Sequence, residues 1–315
     1  VQNIAHVRSD GYIHRNSYKN KILKNEMDEE IRMKANLYYF SGTGNSLFIA
    51  KTIKATMEQE HELHNLEEKN IEGDIEVRII PIQKFNQSKE IQDQSDVIGI
   101  IYPTYFLDAP NVVKNFVKKL SVSKNSYLFL YASYGETLGN ALHNMNRMFG
   151  DNQVVENYEV VLPDNSIIFE SKKEEIPKML EVGETIIREH AKEIYRHKIT
   201  AKSPYSFKYH LVAGGMKPLA RKGLGFTKMK VDKDKCNGCG LCKSLCPMKN
   251  ILLEEQSTLS KAPTFGKNCE SCFSCLHYCP KEAITYQRMS KKKVNFQYRH
   301  PRISVKEMVD AQRDI

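Results

Sequence analysis

The sequence predicts two folded units in series: a doubly wound α/β unit with a parallel five-stranded sheet, then a small cysteine-rich α+β domain. Three observations carry this. Five short apolar runs alternate with helix-period segments between Ala35 and Arg196. All eight cysteines lie between Cys236 and Cys279. The stretch between these regions, 197–229, is rich in Lys, Gly and Ser, with no sustained period, and reads as a connector. A chain of 315 residues is long enough for two domains with ordinary cores.

The strand candidates are Asn36–Phe40, Glu76–Ile82, Val97–Tyr102, Tyr127–Ala132 and Val154–Leu162. The first, third and fourth are nearly continuous in apolar residues, as strands covered on both faces must be. Leu47, Ala50, Ile53 and Met57 share one helical face, as do Val113, Phe116, Val117 and Leu120, and Leu138, Ala141, Leu142 and Met145. A further helix is expected over Ile176 to Tyr195. Between the second and third strands KFNQSKEIQDQS is short and polar, and a helix there is poorly supported. Residues 1–34 read as an N-terminal extension without order, 35–196 as the α/β domain, 230–287 as the cysteine domain, and 288–315 as a basic tail or short terminal helix.

Mean hydropathy is −0.51. The longest apolar run, Val97–Tyr102, is too short to span a bilayer, and the first residues do not form a signal peptide. The expectation is a soluble cytoplasmic protein, where clustered thiols stay reduced and metal ligation outranks disulfides. Formal charge is +9, which reads first as a solvated surface and otherwise as a sign of acidic partners or nucleic acid. The basic RMSKKK and QYRH segments lack organised aromatic platforms, so nucleic-acid binding is not expected.

The cysteines form two runs of C-x2-C-x2-C-x3-C-P: Cys236, Cys239, Cys242, Cys246 with Pro247, and Cys269, Cys272, Cys275, Cys279 with Pro280. One constant offset relates every pair, and it also relates Ile251 to Ile284, so the domain is an internal repeat. Zinc could occupy paired C-x2-C motifs, but it does not call for four ligands per run followed by proline. Gly238 and Gly240 let the loop of the first run turn sharply. The spacing resembles that of bacterial two-cluster ferredoxins. The resemblance implies two [4Fe–4S] clusters, with each fourth cysteine crossing to the other: Cys236, Cys239, Cys242 and Cys279 on one, Cys269, Cys272, Cys275 and Cys246 on the other. His277, inside the second run, reads as a solvated helix residue.

SGTGNS, Ser41 to Ser46, lies between the first strand and a helix. Amides at a helix N-terminus, with hydroxyls beside them, suit a phosphate. The loop lacks the Lys of a nucleotide-triphosphate loop and the spacing of a dinucleotide turn. It resembles the phosphate loop of flavodoxins, whose sheet order 2-1-3-4-5 puts the switch point between strands one and three. The whole layout, over residues 35 to 287, resembles the EFR-type proteins, a flavodoxin-like domain fused to a two-cluster ferredoxin. Its carriers are SGTGNS, PTYF after strand three and the two cysteine runs.

The resemblance implies FMN, its phosphate held by Ser41, Gly42, Thr43, Gly44, Asn45 and Ser46. It puts Pro103, Thr104, Tyr105, Phe106, Ser133, Tyr134 and Gly135 near the ring. The chain has no Trp to stack on a flavin, so Tyr105 or Tyr134 must serve. The expected function is electron transfer between FMN, two clusters and a soluble redox partner. Two rivals stay open: an FMN oxidoreductase fed by the clusters, and a docking or sensor module without FMN. No general base or nucleophile is identifiable, so the sequence leaves open whether the protein is an enzyme.

Overall fold

The computed structural model describes residues 31–67, 73–150, 153–166, 170–199, 207, 209, 228–253, 262–286 and 297–313. The main sheet joins β1 (Ile31–Tyr39), β2 (Asp74–Pro81), β4 (Val97–Pro103), β6 (Tyr127–Tyr134) and β7 (Val155–Val161). Its order is β2-β1-β4-β6-β7 and every pairing in it is parallel. This is the flavodoxin-like order, with the reversal between β1 and β4. Two short strands, β3 (Ile91–Asp93) and β5 (Leu120–Val122), pair apart from the main sheet. Between β2 and β3 there is only a 3-10 turn, Ile82–Phe85, in keeping with the polar composition there.

Four helices wind the sheet: α1 (Asn45–Glu67), α2 (Asn111–Val117), α3 (Ala141–Asn146) and α4 (Ile176–Tyr195). One core lies on each face. Leu37, Ile49, Ile53, Ile101, Phe129 and Ile187 belong to the first, and Phe40, Ile98, Ile100, Val113, Phe116 and Leu142 to the second. Strand β4 serves both, which is why Val97–Tyr102 is apolar throughout.

The cysteine domain pairs β8 (Met229–Val231) with β11 (Ile284–Tyr286) and β9 (Ile251–Leu253) with β10 (Pro263–Phe265), both antiparallel. Between them lie the single-turn helices α5 (Leu241–Ser244) and α6 (Ser274–His277). The internal repeat extends to the backbone. Left-handed φ recurs at Gly238 and Ser271, at Gly240 and Phe273, and at Lys249 and Glu282. The amides of Asn250 and Ala283 each donate to a cysteine Sγ, of Cys246 and Cys279, at 3.3 Å. The equivalent residues Leu245 and Tyr278 both insert into the first α/β core.

Three expectations need correcting or bounding. The basic tail is folded in its final part: Tyr298, Ile303, Met308 and Ala311 are buried, and α7 (Val305–Asp310) starts with a Ser304–Glu307 capping box. The RMSKKK run lies outside the described residues, as do 1–30 and most of the connector. Strand β1 begins at Ile31, inside the stretch expected to be an extension. Among the described residues no helix is long and apolar enough to cross a membrane.

Candidate functional site

The Ser41–Ser46 loop leaves β1 at the switch point and opens α1. Ser41, Thr43, Asn45 and Ser46 are all buried. Ser41 Oγ accepts from the Gly44 amide at 3.0 Å and sets the turn. Gly44 has φ of 102°, a conformation that costs a side-chain-bearing residue. The Asn165 amide donates to Thr43 Oγ1 at 2.9 Å, leaving the Thr43 hydroxyl proton available to another acceptor. Asn45 is held from two sides, donating to the Pro163 carbonyl and accepting from Tyr298 Oη at 2.7 Å.

The terminal segment covers this loop as a strap. The His300 amide donates to the Thr43 carbonyl at 2.9 Å. The His300 ring stacks on Phe48 with centroids 4.0 Å apart. Burial lowers the His300 pKa to about 4, and nearby Arg302 adds to the shift. Ion pairs Arg302–Glu184 and Lys51–Glu307 fasten the strap to α4 and α1. A strap of this kind was missed because Ile303, Met308 and Ala311 are sparse, although S-x-x-E is itself a helix-start motif.

On its other side the loop meets the second cysteine run. A Cβ at Gly42 would overlap the Cys272 carbonyl oxygen and lie 2.9 Å from Tyr105 Oη. Glycine is required there because two backbones touch. Around this junction Ser46 Oγ, Thr104 Oγ1, Tyr105 Oη, Ser271 Oγ and Ser274 Oγ are buried with no hydrogen-bond partner among the described residues. Five such hydroxyls are costly unless a ligand accepts from them. Hydroxyl donors beside a helix N-terminus fit a phosphate ester.

The structure brings together only part of the residues expected near the ring. Pro103 and Ser133 are register partners, and the Thr104 amide donates to the Ser133 carbonyl. Tyr105 is edge-on to Phe40. Burial raises its pKa well above the usual tyrosine value, and Cys272 adds to this, so the phenol stays protonated. Phe106, with φ of 53°, packs against the cysteine domain beside Phe273 and Tyr286. Tyr134 donates to Glu159 at 3.3 Å, and Gly135 abuts the Asp164 side chain.

The cysteines line two hollows. One is bordered by Cys236, Cys239, Cys242 and Cys279, the other by Cys269, Cys272, Cys275 and Cys246. Each combines three cysteines of one run with the fourth of the other. Among the described residues, no three His, Cys, Asp or Glu side chains gather as a single ion would require. The thiols instead ring a space. Burial first, and then the neighbouring Cys239, Cys279 and Cys236, raise the pKa of Cys242 to about 11. Burial also raises Cys272, with Cys246 the strongest charge acting on it. Crowded, desolvated thiols of this kind ionise only when a metal centre supplies the positive charge, and they fit an iron–sulfur cluster.

His277 does not lie in solvent. It is fully buried, because its ring joins three segments. Its Nδ1 accepts from the Tyr298 amide at 3.1 Å, so Nε2 carries the proton and donates to the Asn165 carbonyl at 2.9 Å. Asn165 is the residue that holds Thr43. A lone histidine in a one-turn helix carries no burial pattern, and sequence reasoning had no means to find this link.

The family model of the 4Fe-4S dicluster domain matches residues 228–280. A ferredoxin of Thermococcus litoralis is 35% identical over 60 residues, covering 19% of this chain and 98% of the relative. An uncharacterized protein of Methanocaldococcus jannaschii is 33% identical over 64 residues, 20% of this chain, and the match spans only 23% of that protein's length. Among solved structures, the flavodoxin of Megasphaera elsdenii is similar at 20% identity and TM-score 0.29, covering 49% of this chain and 98% of that one. The azoreductase of Bacillus anthracis gives 11% and 0.36, with 51% and 99% covered. The flavodoxin-like assignment rests on the strand order above. Through its cysteine repeat, the chain belongs to the ferredoxin family with a 4Fe-4S dicluster domain.

Proposed function

We propose that this protein is an electron-transfer flavo-iron–sulfur protein of the EFR type, carrying FMN and two [4Fe–4S] clusters and exchanging electrons with a soluble partner in the cytoplasm. The observation that carries the reading is the junction at Gly42, where the phosphate loop and the second cysteine run touch backbone to backbone. Two redox centres held this way in one chain keep a fixed path between donor and acceptor. FMN exchanges two electrons, together or singly, and a cubane cluster exchanges one.

Each part of the chain has a task in this scheme. Ser41–Ser46 would hold the phosphate through amides and hydroxyls, with Thr104 and Tyr105 adding donors from the β4 end. Pro103, Ser133 and the loop from Tyr134 to Gly135 would flank the ring. Phe106 is better read as a domain contact. The strap at Tyr298 and His300 excludes water from the loop. Cys236, Cys239, Cys242 and Cys279 would ligate one cluster, and Cys269, Cys272, Cys275 and Cys246 the other. The working domains are the α/β unit from β1 to α4 and the dicluster unit from 228 to 286, with the strap returning to the first.

Protein purified without oxygen should contain about eight irons and one FMN per chain by this count. Zinc in place of iron would reject the cluster part. Full clusters together with a failure to take up FMN would reject the flavin part and favour a docking or sensor module. Turnover of a small substrate at the flavin, without any protein partner, would favour an oxidoreductase.

A further inference from the structure

The two hollows differ in what surrounds them. The second is closed by the α/β unit: Cys272 and Met248 pack into the core that contains Phe40 and Val113. Glu270 accepts from the Asn111 amide, and Asn86 donates to the Pro247 carbonyl at 3.3 Å. Among the described residues both hollows are lined by the dicluster domain, but in the wall of the first Cys239 is exposed, where Cys272 of the second is buried. The lining of the first is mainly apolar, with Leu241, Leu253, Pro263, Pro280 and Ile284 beside the cysteines.

Lysines lie near both hollows: Lys235, Lys243 and Lys281 are exposed on the segments that form the first, Lys249 and Lys267 are exposed beside the second, and Lys228 and Lys230 flank Met229, which lines the second. Lys281 lines the first hollow itself. Among the described residues, the segments of the first hollow carry three carboxylates, Asp232, Asp234 and Glu282. Of these, Asp232 accepts from the Asp234 and Lys235 amides and closes its own turn. An apolar centre with a basic rim, over a redox centre close to solvent, suits a brief encounter with an acidic protein surface.

We infer that the first hollow is the docking port, where an acidic one-electron carrier protein exchanges its electron, and that the second hollow relays between this port and the phosphate-loop side. The inference rests on the electron-transfer role proposed above. The exchange makes and breaks no bond: the carrier is oxidised by one electron as this protein is reduced by one. The contact at Cys272 and Gly42 covers that side of the second hollow, whereas Cys239 of the first is exposed.

The test mixes anaerobic holoprotein with a reduced, small, acidic two-cluster ferredoxin at low salt, following iron–sulfur and flavin absorbance separately. The triple variant Lys235→Glu, Lys243→Glu, Lys281→Glu should slow bleaching at least tenfold and lose most of its salt dependence. The triple variant Lys118→Glu, Lys124→Glu, Lys173→Glu changes net charge equally on exposed sites elsewhere and should stay within about twofold. Carbodiimide cross-linking of the unaltered protein to the oxidised ferredoxin should map to Lys235, Lys243 and Lys281. This readout needs neither turnover nor an intact variant cluster. Equal slowing in both triples, cross-links elsewhere, or no reaction and no cross-link would overturn the inference. Failure of the flavin reading looks different: flavin absorbance is missing, while iron–sulfur bleaching still depends on these lysines.

Discussion

The two cysteine runs share spacing, left-handed backbone positions and sulfur hydrogen bonds, and both touch the α/β unit, yet the middle of the first run is exposed at Cys239 while the middle of the second is buried at Cys272. In the first run the left-handed positions hold Gly238 and Gly240; in the second they hold Ser271 and Phe273. Gly240 is nearly unhindered, with only Leu253 Cδ1 within 4 Å of a built Cβ. Phe273 instead packs against Met229, Leu276 and Tyr286 and stands edge-on to His277. The repeat conserves what ligation needs, and the departures from it occur where the second run also makes an interface. A left-handed phenylalanine costs about 1–2 kcal/mol, and burying its side chain returns about as much or more.

The largest effect should come from the fourth cysteines. Cys246 belongs to the first run but borders the closed hollow, and Cys279 does the reverse. Replacing either by Ala should lower iron from about eight to about four per chain if its cluster is lost whole. After Cys246→Ala the surviving cluster sits in the open hollow and should bleach with ferricyanide at least tenfold faster than the survivor of Cys279→Ala. The opposite order would mean that each run ligates its own cube, and the comparison between open and closed hollows would break.

Next in size is the phosphate side of the junction. Gly44→Asp places a carboxylate in the loop at φ of 102°, with its Cβ 3.1 Å from the Cβ atoms of His300 and Ile303. FMN affinity should fall about a hundredfold, near 2.7 kcal/mol, through like-charge repulsion added to strain. Riboflavin has no phosphate and should lose much less. Equal losses in a titration of both ligands would mean that the loop does not bind phosphate.

The α/β alternation, the glycine-rich strand–helix turn and the cysteine repeat were legible because each is a periodic or locally spaced pattern. Val97–Tyr102 announces a strand buried on both faces, and one constant offset links Cys236 to Cys269 as it links Ile251 to Ile284. What was not legible depends on contacts between distant segments. Gly42 reads as one glycine among several in the loop, although Cys272 is what forces it. Tyr298 and His300 read as part of a basic tail, although Asn45, Thr43 and Phe48 give them partners. His277 is spaced like a helix-surface residue, and only Asn165 and Tyr298 explain its burial.

The strap supplies a pH test of how firmly the phosphate side is closed. His300 is buried neutral, with its pKa lowered from 6.5 to about 4. The unfolded chain therefore binds more protons than the folded one between those values, and stability must fall as pH drops from about 6.5 towards 4. The slope from this group is at most about 1.4 kcal/mol per pH unit and ends below the folded pKa. Arg302 and Glu184, which also face it, keep their charges over most of the window, with the Glu184 pKa held low by Arg302. His300→Gln should flatten the denaturation midpoint over pH 6.5 to 4. An unchanged slope would mean that the ring is reached by water in solution.

The smallest expected effect exchanges a residue between the repeats. Ser271 has φ of 60°, where its counterpart is Gly238, and its buried hydroxyl has no partner among the described residues. Ser271→Gly removes both the Cβ strain and the orphaned oxygen, against the added entropy of a glycine in the unfolded chain. The balance for cluster-loaded, FMN-free protein should be a gain of up to about 1 kcal/mol, read by chemical denaturation without oxygen. With FMN bound the gain should shrink or reverse, because a hydroxyl at this junction is then a donor with an acceptor. Gly238→Ser, the reverse exchange on the open run, should cost about 1 kcal/mol whether or not FMN is present. If Ser271→Gly responds to FMN no more than Gly238→Ser does, the second run is closed by packing alone and its serine plays no part in holding the ligand.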